Sequence, residues 1–278
     1  VICLDNYFTG RKSNIFKWIS NPNFELIRHD VTNKINLEVD NIWHLACPAS
    51  PIHYQLNPIK TAKTSFLGTI NMLGLAKRTG AKILLASTSE VYGDPEVHPQ
   101  PEDYRGCVNS IGIRSCYDEG KRIAETLCFD YQRMHNVDIK VMRIFNTYGP
   151  RMLESDGRVI SNFIYQALNN LDFTIYGDGL QTRSFLYIDE CIDATYRLMQ
   201  SDFLGPVNIG SEEMVTINEL VEKAEKASGK KVARNHKLDA PTGVRGRNSN
   251  NDLIREKLNW DYSQSLEVGI KKTYDWIE

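Results

Sequence analysis

No apolar run in the sequence approaches the ~20 residues that a membrane-spanning helix needs, and nothing reads as a secretory signal. A membrane segment is therefore not expected, and the expected localisation is cytoplasmic. Positive charge is not in excess, since 33 Lys and Arg stand against 35 Asp and Glu. A net charge of -2 gives no footprint for nucleic acid or an anionic membrane, and neither is expected as a partner. Cysteine is sparse: six residues (Cys3, Cys47, Cys107, Cys116, Cys128, Cys191), with no CxxC pair among them. That usage reads as free thiols in a reducing compartment, not as a disulfide frame or a metal site. Internal repeats and low-complexity linkers are also missing. What is left is a chain of 278 residues, 41% hydrophobic and 24% charged, which suits a globular protein of one large or two modest domains.

One further absence is local. The opening "VICLDNYFTG" is an apolar, β-branched run ending at Asp5, followed by a polar turn that closes on Gly10. It reads as the second strand of a dinucleotide-binding unit, with the acid placed for an adenosine ribose. The glycine-rich turn expected about 20 residues earlier is not in the sequence given. In the strand order 3-2-1-4-5-6 the first strand stands between the second and the fourth. Without it the sheet is expected to be split at that point.

Strand and helix signals alternate through the first half. "FELIRHD" (24–30), "NIWHLACP" (41–48), "AKILLAST" (81–88) and "DIKVMRIFN" (138–146) read as strands. The segments 57–80 and 115–136 carry apolar residues at helical spacing, with Asn57-Pro58 as a start signal and Gly80 as a stop. Buried strands alternating with helices predict an α/β fold with a Rossmann-type, doubly wound parallel sheet. The second half is less regular. Helices are expected over 161–170, 188–200, 216–229 and the final "SLEVGIKKTYDWIE", with a strand and turn over 173–179. The expected organisation is a dinucleotide-binding domain over 1–150, and a small, partly discontinuous substrate-binding lobe over 151–278.

The chemistry concentrates in two motifs. Tyr117 and Lys121 are four apart and share one helix face. A nearby ammonium favours a phenolate, so such a tyrosine can take a proton from an alcohol while hydride leaves the same carbon. Thr88-Ser89-Glu90 closes the buried strand 81–88. Residues at the carboxyl end of a parallel strand face the ligand crevice. Their hydroxyls and carboxylate suit a site next to such a tyrosine.

These motifs resemble the extended short-chain dehydrogenase/reductase family. Within it "STSEVYGDPEVHPQPEDY", "SCYDEGKRIAET", "HLACPASPIHYQLNPIKT", "GTINMLGLAKR" and "RIFNTYGPRM" resemble the UDP-glucuronate decarboxylase (UDP-xylose synthase) branch. Hexose 4,6-dehydratases typically carry Asp-Glu where this chain has Ser89-Glu90, and 4-epimerases usually lack the Glu. The resemblance implies NAD as cofactor, with Asp5, Asn6, Phe8, Thr9, Gly10, Asp30, Val31 and Leu45 lining it beside Tyr117 and Lys121. An acid at Asp5 disfavours a 2′-phosphate. It further implies a UDP-sugar bound by Asn146, Ser161, Asn162, Tyr176, Gly177 and Arg183, and a homodimer formed through the helices at 57–80 and 115–136.

The tail departs from that pattern. "PTGVRGRNSNNDLIREKLNW" (241–260) and "VNIGSEEMVTINEL" resemble GDP-mannose 3,5-epimerases. Counting back 13 residues from Trp260 reaches Arg247, where the decarboxylases hold an arginine. Arg105, Ser110 and Ile113 also differ from the usual residues of the branch. The implied reaction is NAD-dependent decarboxylation of UDP-glucuronate to UDP-xylose through a 4-keto sugar. Tyr117, Lys121, Thr88, Ser89, Glu90 and Arg247 form the expected catalytic set. Another nucleotide-sugar epimerase or 4,6-dehydratase, or a binding protein that kept the fold, are the competing readings.

Overall fold

The computed structural model describes residues 1–153, 156–240 and 243–278. Pro241 and Thr242, which open the epimerase-like stretch, lie outside the described residues. The fold is α/β with mainly parallel pairing, as the alternation predicts. Two compact units are formed, Val1–Val91 with Asn109–Val141, and Tyr92–Val108 with Met142–Glu278.

In the first unit β1 (Ile2–Asp5) pairs in parallel with β2 (Glu25–Arg28). A 3-10 segment, Lys12–Trp18, lies in the connection. Strand β3 (Asn41–His44) pairs in parallel with β4 (Lys82–Thr88) in a separate sheet. β1 and β3 share no ladder, which is the break the sequence predicts. Between β3 and β4 run α1 (Pro51–Tyr54), α2 (Pro58–Lys63) and α3 (Thr69–Thr79). The Asn57 side chain caps α2 by accepting from the Lys60 N–H, and Gly80 ends α3 with φ 72.

The sequence predicts one helix over 57–80, but a π-helical turn, Thr64–Gly68, separates α2 from α3. This wide turn falls where neighbouring chain segments pack tightly. A Cβ at Gly68 would lie 2.9 Å from Val31 Cγ2, and one at Gly120 would lie 3.0 Å from Ser65 Oγ. Periodicity cannot register one extra residue in a turn. Helix α4 (Ser115–His135) buries Tyr117, Gly120, Lys121, Ala124, Glu125 and Cys128, a single stripe at helical spacing. Leu73, Ile83, Leu84, Leu85 and Ile139 are fully buried in this unit; each is worth about 1.5–3 kcal/mol of transfer free energy.

Strand β5 (Ile139–Ile144) begins in the first unit and ends in the second, where Met142–Ile144 pair in parallel with β10 (Val207–Ile209). The rest of the second unit is built of short strands. β6 (Thr147–Tyr148) pairs with β9 (Leu186–Tyr187), and β7 (Phe173–Tyr176) with β12 (Arg234–Lys237). β8 (Thr182–Ser184) lies between β11 (Met214–Thr216) and β13 (Gly246–Arg247). Helices α5 (Val159–Leu168), α6 (Ile188–Gln200), α7 (Ile217–Ser228), α8 (Asp252–Leu258) and α9 (Leu266–Ile277) complete it. Thr216 and Glu219 form a capping box at the start of α7. Phe163, Phe173, Leu220, Val221, Leu266 and Ile270 belong to its apolar core. The segment 92–108 is tied into this unit through Gln100, whose N–H donates to the Asn248 carbonyl at 3.1 Å.

Candidate active site

Strand β4 is buried along most of its length, which carries Thr88 to its carboxyl end. Thr88 and Ser89 are buried, and the Glu90 N–H donates to Thr88 Oγ1 at 3.2 Å. The Glu90 carboxylate accepts from the Arg114 guanidinium, which also faces Asp118 at 4.0 Å. Arg114 stands just ahead of α4, and its carbonyl accepts the Tyr117 N–H at 2.9 Å. Burial works against the Arg114 charge, but Glu90, Tyr54, Asp118 and Tyr117 outweigh it and raise its pKa.

Tyr117 and Lys121 are both buried on the inner face of α4. The Lys121 ammonium lies 5.9 Å from the centre of the Tyr117 ring and donates to the Ala86 carbonyl at 2.8 Å. Tyr117 also stacks on Tyr54, with ring centres 5.0 Å apart and planes 7° from parallel. Gly120 suits this arrangement, because a Cβ there would sit 3.0 Å from the Ser65 side chain. Thr88, Ser89, Glu90, Tyr117 and Lys121 thus fall in one unit, as the motifs predict. Arg114 and Tyr54 join them without a sequence signal. Tyr54 lies inside the quoted stretch 44–61 without standing out in it, and Arg114 reaches Glu90 across 24 residues.

The turn after β1 is shaped by side chains that bond to the backbone. Asp5 Oδ1 accepts the Tyr7 N–H at 2.6 Å, and Asn6 Oδ1 accepts the Phe8 N–H at 3.0 Å. Tyr7 takes φ 60, and Gly10 lies against the Asp5 carboxylate, where a Cβ would be 2.9 Å from Oδ2. Thr9 is exposed at the tip. Asp30, past the end of β2, accepts from Thr32, Asn6 and Lys60, the last at 2.6 Å. Burial works against the Asp30 charge, yet these donors hold its carboxyl well below the usual range. Val31 is buried, and its carbonyl accepts from Asn71 at 2.9 Å. Phe8 and Leu45 are 46% and 58% exposed, apolar surfaces at the carboxyl ends of β1 and β3.

The second unit holds a cavity of about 470 Å³. Asn146, Asn162, Tyr176 and Arg183, four of the expected sugar-nucleotide residues, line it. Arg158 and Lys237 add positive charge to the wall. Asn146 is fixed by donating to the Ser184 carbonyl at 3.1 Å. Ser161 and Gly177 are not in the lining. Ser161 is buried and donates back to the Arg158 carbonyl at 2.9 Å, and Gly177 forms the turn after β7 with φ 70. Arg247 is 3% exposed, and its guanidinium donates to the Gly93 carbonyl at 2.6 Å. Gly93 itself takes φ 65, with the Cys107 carbonyl where a Cβ would stand.

Residues 3–273 match the family described as GDP-mannose 4,6 dehydratase. UDP-glucuronic acid decarboxylase 5 of Arabidopsis thaliana is 55% identical over 270 residues, covering 97% of this chain and 79% of that protein. UDP-glucuronic acid decarboxylase 1 of Danio rerio is 51% identical over 280 residues, covering 100% of this chain and 66% of that protein. Among solved structures, UDP-glucuronic acid 4-epimerase of Bacillus cereus, in complex with UDP-glucuronic acid and NAD, matches with a TM-score of 0.89 at 28% identity, covering 100% of this chain and 90% of that one. UDP-glucose 4-epimerase of Thermotoga maritima, with UDP-glucose, matches with a TM-score of 0.90 at 25% identity and the same coverage. The family match runs through the tail that resembles the 3,5-epimerases. Fold, motifs and relatives therefore agree: the chain belongs to the GDP-mannose 4,6 dehydratase family of extended short-chain dehydrogenases/reductases, on the branch that holds the UDP-glucuronic acid decarboxylases.

Proposed function

We propose that this protein is a UDP-glucuronate decarboxylase that forms UDP-xylose through a 4-keto sugar and holds NAD as its resident cofactor. The observation that carries the reading is the grouping of Tyr117 and Lys121 with Thr88-Ser89-Glu90 in one unit, in a chain 55% identical to a named decarboxylase. The residues after β1, β2 and β3 fit a dinucleotide. Asp5 offers a carboxylate for ribose hydroxyls, Gly10 keeps the turn beside it free of a side chain, and Phe8 and Leu45 offer apolar surface. When bound, NAD supplies a reversible hydride acceptor for C4 of the sugar.

The chain's own residues do the rest. Tyr117 takes the proton of the C4 hydroxyl and later returns it. Lys121, fixed by Ala86, keeps a positive charge beside the phenol and favours its ionised form. Thr88 and Ser89 hydrogen-bond the C4 oxygen or the carboxylate. The oxidised sugar is a β-keto acid and loses carbon dioxide readily, so the protein's task is orientation and proton delivery. Glu90 and Arg247 serve the carboxylate end and the protonation of C5. Asn146, Asn162, Tyr176 and Arg183, with Arg158 and Lys237, suit the UDP half, since a cationic wall favours a diphosphate. Ser161 donates to the carbonyl of Arg158 and the Gly177 N–H to that of Lys237, so both bond to residues of that wall.

A homodimer in the cytoplasm is part of this reading. Phe66, Leu67 and Ile123 are exposed at 41%, 37% and 37% on the π-helical turn and α4, and Ile70, Leu127, Phe129 and Tyr131 are half-buried. Leu73, on α3, is fully buried in its own core. All six cysteines are unbridged, which suits a reducing compartment. No helix among the described residues is long and apolar enough to cross a membrane.

The test is incubation of the full-length protein with UDP-glucuronate and NAD, read by mass spectrometry. Loss of carbon dioxide supports the proposal. Loss of water means a dehydratase, and a product of unchanged mass means an epimerase like the structural relatives.

A further inference from the structure

Glu125 is a buried acid that the reaction above does not use. It is 8% exposed, on the inner stripe of α4, one turn beyond Lys121 and two beyond Tyr117. Gly120, Ala124 and Cys128 share that stripe, so an apolar residue would continue it. A buried carboxylate is costly and is rarely found unless it is paired. Ser87 of β4 donates its hydroxyl to Glu125 Oε1 at 2.5 Å. Three successive residues of β4 thus serve one corner: the Ala86 carbonyl holds Lys121, Ser87 holds Glu125, and Thr88 ends the strand at the candidate site. Glutamine would accept from Ser87 just as well, without the cost of a charge. The tie between α4 and β4 alone does not account for an acid.

We propose that Glu125 is a positioning residue that acts by its charge: through Lys121 its carboxylate sets the pH range in which Tyr117 is the phenolate and Lys121 the ammonium. This rests on the reading of Tyr117 as the base of the reaction. Residues four apart on a helix are neighbours, and charges away from water are felt strongly over that spacing. Cys128, on the same stripe, lies in reach of both charges: burial first, then Glu125, push its thiol up to about 12 against the pull of Lys121. The other charges around α4 are engaged elsewhere. His44 of β3 is kept neutral by burial and then by Lys121. On α2, Lys60 pairs with Asp30 and Lys63 is exposed. On α3, Lys77 and Arg78 reach His135 and Glu38, and Lys82 of β4 faces Asp138. The π-helical turn brings no titratable group. At the far end of the stripe Arg114 faces Glu90 and Asp118, and Tyr54 stacks on Tyr117. A carboxylate makes the groups beside it hold their protons more tightly. Without Glu125, Tyr117 and Lys121 should both release theirs at lower pH.

The test uses full-length, NAD-loaded protein and three variants. Glu125→Gln keeps an acceptor for Ser87 and removes the charge. Ser87→Ala removes the tie and keeps the charge. The double variant Ser87→Ala/Glu125→Leu removes both partners together, which a buried polar pair tolerates, and it serves if Glu125→Gln does not fold. Ionisation of Tyr117 is read without turnover, as the tyrosinate absorbance that is lost on adding Tyr117→Phe to each background. The hydride step is read as the pH–rate profile of NADH formation from UDP-glucuronate. Both uncharged variants are expected to move the tyrosinate midpoint and both limbs of the rate profile down by about one pH unit. Ser87→Ala is expected to leave them in place while lowering the thermal midpoint. An unmoved tyrosinate midpoint in the uncharged variants, or an equal displacement in Ser87→Ala, overturns the proposal. The outcome is separable from that of the function itself. A displaced midpoint in a protein that releases no carbon dioxide sustains this proposal and defeats decarboxylation. Carbon dioxide release with an unmoved midpoint does the reverse.

Discussion

Lys121 and Tyr117 are held in a fixed relation: the ammonium is 5.9 Å from the ring centre, and the Ala86 carbonyl anchors it at 2.8 Å. Both side chains are buried, so the phenol and the charge cannot swing apart. The anchor is backbone at the end of β4, which makes the pair as rigid as the sheet. Tyr117→Phe keeps the ring, its stack on Tyr54 and the helix. It should retain UDP-glucuronate binding while turnover falls about 100-fold or more, the range for a positioned general base. Near-normal turnover in that variant would assign the base elsewhere.

Arg247 differs from the exposed Arg245 two residues before it. Its guanidinium is buried and holds the Gly93 carbonyl. Lysine cannot reproduce a planar fork. Arg247→Lys should lower turnover by about 10-fold or more and reduce stability by about 1.5–3 kcal/mol, the worth of a charged hydrogen bond. Arg245→Lys should do neither. Chemical denaturation and steady-state rates on the two variants decide the matter, and equal behaviour would count against a role for Arg247.

His44 offers a pH-dependent readout within the first unit. It is buried, with Nε2 3.1 Å from Thr69 Oγ1. Burial first, and the Lys121 charge second, hold its pKa down at about 3. The unfolded value is about 6.5, so below that pH the unfolded chain takes up a proton that the folded chain refuses. Stability therefore falls with acidity by about 1.4 kcal/mol per pH unit from about 6.5 downward. Between pH 7 and pH 5 the native protein should lose about 2 kcal/mol more than His44→Gln does. Urea melts at the two pH values measure the difference, and parallel losses would show that His44 titrates normally when folded.

The apolar side chains left at the surface by the π-helical turn and α4 set the expectation for assembly. Sedimentation of the full-length protein at micromolar concentration should give a dimer. Replacing Phe66 and Ile123 together with Lys should give a monomer that remains folded by circular dichroism. A monomeric native protein would remove the dimer from the proposal.

Much of this architecture is legible in the residues. The helix 188–200 has the predicted bounds, because Tyr187 and Ser201 take extended conformations at its two ends. Helix α4 ends at Asn136 in the left-handed conformation, one residue short of the predicted 115–136. The site motifs are legible for the same reason, since Tyr117 and Lys121 lie within one helix and Thr88 to Glu90 at one strand end. What could not be read depends on distant partners. β13 is two residues long and exists only through its ladder with β8. Helix α8 follows polar residues with no strong periodicity, so no local signal announces it. The Arg114–Glu90 pair and the Tyr54 stack join residues that no local rule relates. Ser161, which the resemblance implies for the UDP half, bonds back to the Arg158 carbonyl, as a serine early in a helix can.

Residues 92–108 belong to the second unit but are synthesised before the first unit's α4. Their partners come from the far end of the chain. Gly93 is held by Arg247, 154 residues later, and Gln100 by Asn248, 148 residues later. Asn208 meets the Glu102 carboxylate across 106 residues. A chain emerging from the ribosome therefore carries this segment without its partners until the tail is made, while β1 to α4 already have theirs nearby. Such late, long-range closure is slow and leaves polar backbone waiting. The order of synthesis thus lets contacts within the first unit form early, and leaves residues 92–108 waiting for the stretch around Arg247 and Asn248.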